Sequence, residues 1–520
     1  MKVLITTSGT GTRLGEKTQY FNKCLIRVGD KAILSHIIDS YPINTEFIIA
    51  LGYKGDLVKQ YLEIVHDDLD FKFVHVDKYE GKGSSLLYSM NKCKDHLNEP
   101  FIFHVSDAIA KYNLKKYDGN VVVGSIKGNK TLYSSYNTMH DRVVSFNSKG
   151  ALSSDFNYVG IAFIKDHEKF WKISKNQLAK DNSKNLNDIS VFQEMIKELK
   201  FSHLKAEEWY DTGSVDSLIY TQNKITPKML KEVLDKETES IYFRKNQIIK
   251  FFAEDKTNLN RVKRSEILKG VVPEVVSYSN NFYKYNFVKG DLYSKKADST
   301  NFEKFLNHYQ KSLWIDEGPD MNLNLLSKKF YYDKTKERIK AFFNKNATSD
   351  SKTIINNIEV PKVIDIINSI PSDFYSKGKK SKIHGDFIID NAIITKNSFK
   401  MIDWRQDFAG NVEYGDTYYD LAKLAHNLVV NHEIVDKNLF SFEHDDNGNI
   451  NIEILRKQKL VDCENIFFDW LEKNNYNKRR VKILRGLIWL NMSPLHHKPF
   501  DYFLFNYGKL NLFKTLNYES

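Results

Sequence analysis

Lys2-Val3-Leu4-Ile5-Thr6-Thr7-Ser8-Gly9-Thr10-Gly11-Thr12-Arg13-Leu14 joins a short apolar run directly to a glycine-containing loop. The run predicts a strand, and the glycines predict a tight turn that presents backbone N–H groups to phosphate oxygens. Gly9, Gly11 and Thr12 are thus the candidate phosphate cradle. Lys23 follows Arg13 by ten residues, so one loop offers two cations to the same phosphates. Downstream, apolar runs at 47–51, 71–76 and 101–105 alternate with helical patterns at 32–41, 57–65 and 84–92. This βαβα rhythm predicts an α/β domain: a mostly parallel sheet, helices on both faces, and ligands at the carboxyl ends of the strands.

Length sets the domain count. A chain of 520 residues exceeds the roughly 250 to 300 residues that one core holds, so two large domains are expected. The rhythm changes at 222–240, where Thr226-Pro227 opens a short predicted helix that runs to about Asp235. Domains are therefore expected at 1–222 and 240–520. Residues 241–244 and 247–252 flank Lys245-Asn246 as a hairpin, a helix is expected over 260–269, and a second hairpin over 275–288 turns at Ser279-Asn280-Asn281. A small β-rich lobe with one helix then gives way to a larger helical region.

Charge and cysteine content narrow the function classes. The formal net charge is +11, but Lys and Arg are interspersed with Asp and Glu. No nucleic-acid partner is expected, and the basic balance suits anionic, phosphorylated substrates. Cys24, Cys93 and Cys463 are widely separated, without metal-ligand spacing or a disulfide framework, which fits a reducing cytoplasm. No run approaches 18 apolar residues and no basic-flanked apolar leader is seen, so neither a membrane span nor secretion is expected.

The loop Ser8 to Leu14, taken with Lys23-Cys24-Leu25, resembles the signature of sugar-nucleotide pyrophosphorylases and related cytidylyltransferases, and the resemblance extends over roughly residues 1–220. It implies a Rossmann-like nucleotidyltransferase domain. Glu80-Gly81-Lys82-Gly83-Ser84 is similar to the family's loop at the nucleotide base, which implicates Gly81, Gly83 and Ser84. Asp107, at a strand end, and Asp211, in Trp209-Tyr210-Asp211-Thr212-Gly213-Ser214, match the family's pair of Mg²⁺-binding aspartates. The resemblance gives Arg13 the pyrophosphate and Lys23 the attacking phosphate or the α-phosphate. Such an arrangement is chemically apt, because a cation-rich site stabilises charge moving onto departing pyrophosphate. A Glu-Lys-Pro segment common in sugar-1-phosphate enzymes is absent between Lys127 and Val159, although Tyr158-Val159-Gly160-Ile161 is similar to the strand that follows it. Nucleotidyl transfer is therefore implied more strongly than a sugar phosphate acceptor.

In the second half, Ile383-His384-Gly385-Asp386-Phe387-Ile388-Ile389-Asp390-Asn391, followed by Met401-Ile402-Asp403-Trp404, resembles the catalytic core of aminoglycoside phosphotransferases and choline kinases. The implied fold is protein-kinase-like, α+β and two-lobed. Phosphoryl transfer from ATP needs a carboxylate beside the acceptor hydroxyl, the part implied for Asp386, and oxygen ligands for Mg²⁺, the part implied for Asn391 and Asp403. His384 is expected to be structural. Lys250 is similar to the small-lobe lysine that contacts ATP phosphates, with Glu266 as its partner and Glu274 as a nearby rival. Val288-Lys289-Gly290 would link the lobes, and Asp420 is expected to hold the catalytic loop.

Together these features imply a bifunctional transferase. One half would phosphorylate a small alcohol or sugar with ATP, and the other would join a nucleotidyl group from a second NTP, CTP or UTP, to that phosphate. The product would feed cell-surface polysaccharide, capsule or lipid decoration. Choline is one candidate acceptor, which needs an aromatic cage; Trp404, Trp470, Trp489 and Tyr502 are available for one, though core packing is the more usual part of such rings, and a sugar or polyol is the rival. The alternative is a sugar-1-phosphate nucleotidyltransferase that carries a regulatory, non-catalytic kinase-like module.

Overall fold

A computed structural model describes residues 1–113, 119–151, 153–180, 185–227 and 236–518. The short helix expected from Thr226 to about Asp235 lies largely outside the described residues. The chain divides into two compact units, one of residues 1–258 with 276–285, the other of residues 259–275 with 286–520.

The first unit is built on nine strands: β1 (Lys2–Thr6), β2 (Glu46–Leu51), β3 (Phe71–His75), β4 (Phe101–Val105), then, past the short β5 (Ala108–Lys111), β6 (Asn120–Ser125), β7 (Ser135–Met139), β8 (Arg142–Asn147), β9 (Phe156–Ile164) and β10 (Phe201–Lys205). Their order across the sheet is β3-β2-β1-β4-β9-β6-β10-β8-β7. The first four strands pair in parallel, with β1 between β2 and β4. That is the Rossmann-like order 3-2-1-4, which directs ligands to the carboxyl ends of β1 and β4. Beyond β4 the expected parallel pairing gives way to a mixed sheet, because β9 runs antiparallel to both β4 and β6. Alternation along each strand feeds two cores: Val3 and Ile5 face one, Leu4 the other.

Four further strands form a second sheet, β12 (Glu239–Arg244), β13 (Gln247–Phe252), β14 (Val275–Tyr278) and β15 (Phe282–Asn286), in the order β12-β13-β15-β14. Both expected hairpins are therefore found. Lys245 and Asn246 both have positive φ, 47° and 67°, the conformation a two-residue hairpin turn requires. The sheet's inner side chains, Tyr242, Ile249, Phe251 and Phe282, share the core of the first unit. Tyr61 of α1 (Gly55–Val65) meets the rings of Tyr242 and Phe282 edge-on, and Lys284 pairs with Asp67 at 2.6 Å. Burial of this aromatic face is why the β-rich segment groups with the residues that precede it.

The second unit is mainly helical: α2 (Phe302–Ser312), α3 (Met321–Lys328), α4 (Lys334–Asn346), α5 (Thr417–Val429), α6 (Gln458–Lys473), α7 (Lys478–Met492) and α8 (Phe500–Asn517). A five-residue π-turn, Lys329–Asp333, joins α3 to α4. Helices α5, α7 and α8 pack in succession around Trp489, Leu424 and Leu512, all fully buried. A hairpin of β16 (Ala392–Ile394) and β17 (Phe399–Met401) frames the His-Gly-Asp loop and the Ile-Asp turn. None of the described helices is long and apolar enough to cross a membrane.

Candidate functional site

The first cleft forms where β1 and β4 end. Gly11, at φ 70°, starts the short helical turn Thr12–Thr18, and a Cβ there would lie 3.0 Å from Thr18 and 3.2 Å from Lys23. Asn22 fixes Lys23: its side-chain oxygen caps the Lys23–Leu25 turn, and its Nδ2 donates to the carbonyls of Thr7 and Tyr53 at 2.8 and 2.7 Å. Lys23 Nζ thereby reaches Asp107 Oδ2 at 2.7 Å.

Asp211 arrives through pairing register. The short strand β5 pairs antiparallel with β11 (Glu208–Asp211), which sets Asp211 opposite Ala108, one residue from Asp107. Thr212 clamps the junction, donating from its N–H and hydroxyl to the Asp107 carbonyl at 2.9 and 2.8 Å. A Cβ on Gly213 would lie 3.0 Å from Arg13 Nη2, 3.2 Å from Asp107 Oδ2 and 3.3 Å from Asp211 Oδ1. The guanidinium and both carboxylates therefore converge on one point that only glycine leaves open.

The cavity, about 770 Å³, is lined by Ser8, Gly9, Arg13, Lys23, Ser84, Asp107 and Asp211, together with Lys149, Tyr133, Tyr158, Asp188 and Trp209. Gly81 and Gly83, both at positive φ, shape the adjoining turn, where Ser84 Oγ donates to the Gly81 carbonyl at 2.8 Å. Lys149, Tyr133 and Asp188 have no motif in the sequence. Lys149 lies in a Ser-Lys-Gly turn after β8, and only the fold brings it to Arg13. Burial raises the Asp107 carboxyl, but Lys23, then Arg13 and Lys149, outweigh it and hold it below its ordinary value. Asp211 is displaced upward, by burial and then by Asp107. Burial, then Arg13, lowers the Lys149 ammonium. Asp188, buried and hydrogen-bonded from the Tyr158 hydroxyl at 2.6 Å, is pushed up to about 6, chiefly by burial.

Arg13, Lys23 and Lys149 line this cavity with Asp107, Asp211 and the Tyr158-bonded Asp188, an arrangement suited to a polyphosphate. Among the described residues no three His, Cys, Asp or Glu side chains gather as a metal cage. Mg²⁺ characteristically takes one or two protein carboxylates and fills its shell with phosphate oxygens and water. The converging pair Asp107 and Asp211 fits that donor set.

In the second unit, sequence neighbours build the cluster. Asp386 Oδ1 pairs with Lys423 of α5 at 2.7 Å, and Asn391 Nδ2 donates to Asp386 Oδ2 at 2.9 Å and to its carbonyl at 3.1 Å. Ile402 N–H donates to the Asn391 carbonyl at 2.8 Å and Arg405 N–H to that of His384 at 3.0 Å, so Asp403, at φ 60°, is held between two ties to the loop. Asp420 accepts from the N–H groups of His384 and Gly385, both at 2.7 Å, and from Trp314 Nε1 at 3.2 Å. Burial raises Asp386, yet Lys423, His384 and Asn391 hold its carboxyl far below the usual range. Asp420 is pushed up to about 6 by burial, and His384 down to about 4 for the same reason. Asn391 and Asp403 supply oxygen donors compatible with Mg²⁺. Lys423 is the residue the sequence reading missed: it lies beside the Tyr419-Asp420-Leu421-Ala422 segment but belongs to no motif.

Lys250 is on β13 in the first unit, and Glu266 on the helix Asp255–Ile267, in the part that belongs to the second. Trp404, Trp470 and Trp489 are fully buried, and two of them donate their indole N–H internally, Trp404 to the Arg261 carbonyl and Trp470 to Asn307. Tyr502 packs on Phe342 and Phe442. The three indoles are core side chains, so they line no cage.

No protein-family model matches the chain. Over 63 residues it is 43% identical to a glucose-1-phosphate cytidylyltransferase of Salmonella typhimurium, covering 12% of this chain and 24% of that protein. Over 77 residues it is 40% identical to a probable glucose-1-phosphate cytidylyltransferase of Bacillus subtilis, covering 14% and 28%. The chain thus spans about a quarter of the length of these curated relatives. A solved structure of a putative glucose-1-phosphate thymidylyltransferase from Bacillus anthracis, in complex with sucrose, aligns at 18% identity with a TM-score of 0.38, over 46% of this chain and 98% of that one. The N-terminal half is similar to sugar-nucleotide nucleotidyltransferases and cytidylyltransferases.

Proposed function

We propose that the first unit transfers a nucleotidyl group from an NTP, CTP or UTP, to a small phosphorylated acceptor. The observation that carries this reading is the convergence of Arg13, Asp107 and Asp211 on the space beside Gly213, with Lys23 tied to Asp107. In this reading the glycine loop, Arg13 and Lys149 bind the triphosphate, and Lys23 orients the acceptor phosphate toward the α-phosphorus. Asp107 and Asp211 would hold Mg²⁺, which when bound offsets negative charge on the phosphates. The ring pair Tyr133 and Trp209, whose centroids lie 4.8 Å apart, forms part of the cavity wall.

The second unit, in the same reading, is a small-molecule kinase of protein-kinase-like fold that supplies the phosphorylated acceptor from an alcohol or sugar and ATP. Asp386 takes the hydroxyl proton, and Asn391 and Asp403 would hold Mg²⁺. Lys423 and Asn391 fix the Asp386 carboxylate in one orientation. A cytoplasmic chain that acts in sequence on one acceptor, toward a surface glycan or lipid decoration, is the resulting picture.

The test incubates the full chain with Mg²⁺, ATP, each NTP in turn and a panel of alcohols, and follows ADP and pyrophosphate separately. Asp386→Ala should abolish acceptor-dependent ADP, and Asp107→Ala should abolish pyrophosphate release from NTP and phosphorylated acceptor. Wild-type rates in either variant would reject the corresponding half of the proposal.

A further inference from the structure

More positive charge gathers beside the Asp386 loop than the neighbouring carboxylates engage. Lys334 Nζ lies 4.1 Å from the centre of the Phe330 ring and the Arg405 guanidinium carbon 5.1 Å from it, so one buried ring supports both cations. Arg405 is anchored next to the loop: a Cβ on Gly385 would lie 2.6 Å from its own Cβ, and its Nε donates to the Asp407 carbonyl at 3.0 Å. Arg338, one turn on from Lys334 in α4, and Lys423 add to the field at Lys334. Among the described residues, only Lys423 of these four has a carboxylate within salt-bridge distance, Asp386. Facing them are Asp386, already engaged by Lys423 and Asn391; Asp403; and Asp407, whose Oδ1 accepts from Gly410 N–H at 2.8 Å. Burial, then Arg405, Arg338 and Lys423, lowers the Lys334 ammonium to about 7. Like charges held together on half-buried side chains cost free energy that an anion would offset.

We propose that the alcohol accepted by the second unit already carries an anionic group, a carboxylate or a phosphate, bound by Lys334 and Arg405 with Arg338 beside them. The inference rests on the reading of Asp386 as the base. The acceptor hydroxyl oxygen forms a bond to the γ-phosphorus of ATP, its proton passes to Asp386, and the bond to the β-phosphate oxygen breaks, with its electron pair leaving on ADP. A quaternary ammonium such as choline is repelled by the same field.

The test titrates inorganic phosphate calorimetrically into the full chain at saturating Mg²⁺ and a non-hydrolysable ATP analogue, for wild type, Lys334→Met, Arg405→Gln and Arg405→Lys. One saturable phosphate site should weaken at least about tenfold in Lys334→Met and Arg405→Gln, the scale of losing a charge-assisted bond, and stay within about threefold in Arg405→Lys. Phosphate isotherms that coincide with wild type in both charge-removing variants overturn the proposal. So does an effect seen only without the ATP analogue, which assigns these cations to ATP, or saturable choline binding under the same conditions. Unfolding midpoints exclude a folding defect, and Lys334, half-exposed, is the variant least exposed to one. Acceptor-dependent ADP release with glycerate, glycerol 1-phosphate, glycerol and choline separates carboxylate from phosphate, and ADP release confined to glycerol or choline also overturns the proposal. Failure of the kinase reading has its own signature: no binding of Mg·ATP to an Arg13→Gln chain, with the phosphate isotherms still interpretable.

Discussion

The Asp107 cleft and the Asp386 loop both set carboxylates among cations, yet they are assembled in opposite ways. Arg13 and Lys23 share one loop, Asp107, Lys149 and Asp211 come from three further segments, and the five meet only because β1, β4 and the ribbon through Asp211 end together. The Asp386 group is nearly continuous in sequence, and backbone hydrogen bonds tie His384, Gly385, Asn391 and Ile402 into one piece, with the buried Asp420 as its outside anchor beside Lys423 and Asn427 of the same helix. A cleft made from strand ends depends on register, so it can lose chemistry while keeping its fold. The anchored loop couples the two, since the carboxylate that holds it is also buried.

Removing that anchor should therefore have the largest effect. Asp420→Ala leaves two backbone N–H groups and the Trp314 indole without their acceptor, and an unfolding titration should show a loss of about 3 kcal/mol in the second unit. ADP release should disappear while pyrophosphate release is kept. If stability were unchanged, the contrast between anchored loop and assembled cleft would break.

Next in size, Asp107→Ala should lower the pyrophosphate-release rate by about 10²- to 10³-fold, a magnitude typical of losing one electrostatic stabiliser, with little change in the urea midpoint. A large loss of stability instead would make the first cleft as structurally coupled as the second.

Acid should separate the units. Burial brings His104 and His384 to about 4 when folded, below the ordinary histidine value, so the unfolded chain takes up these protons first. Their contribution to stability is complete above about pH 6.5 and is lost as pH falls toward 4, at up to about 1.4 kcal/mol per pH unit for each ring. Unfolding midpoints between pH 7.5 and 4.5 should flatten for the first unit in His104→Gln and for the second in His384→Gln.

Smaller still, Gly213→Ala places a methyl 3.0 Å from Arg13 Nη2. The pyrophosphate-release rate should drop by about tenfold, the order expected when a catalytic group is slightly misplaced. The KM for NTP should rise with it. Asn246→Ala, in the left-handed turn of the β12–β13 hairpin, should cost only about 1 kcal/mol and leave both activities intact.

Much of this could be read without coordinates where chemistry and sequence run together. The glycine loop after β1, the hairpin at Lys245-Asn246 and the loop from His384 to Asn391 depend on local geometry, and local geometry is written in adjacent residues. The mixed half of the nine-stranded sheet could not be read, because an apolar run such as Phe156–Ile164 carries no mark of the direction in which it pairs. The grouping of the second sheet with the first unit was equally hidden: Tyr242 and Phe251 announce a buried face but not what buries it. Lys149 and Lys423 were missed for a related reason, since a lone lysine in a turn or on a helix has no pattern until folding surrounds it with charge.

By itself the sequence determined the strand-loop opening, the two candidate chemistries and most of the residues that would carry them, because these need specific side chains at short spacing. Tertiary structure alone decided that Asp211 lies beside Asp107 through a strand register, that the tryptophans proposed as a cage are core, and that Lys334 and Arg405 share one aromatic ring. Each of those depends on long-range packing, where burial and like-charge proximity are fixed by the whole fold and by no local stretch of it.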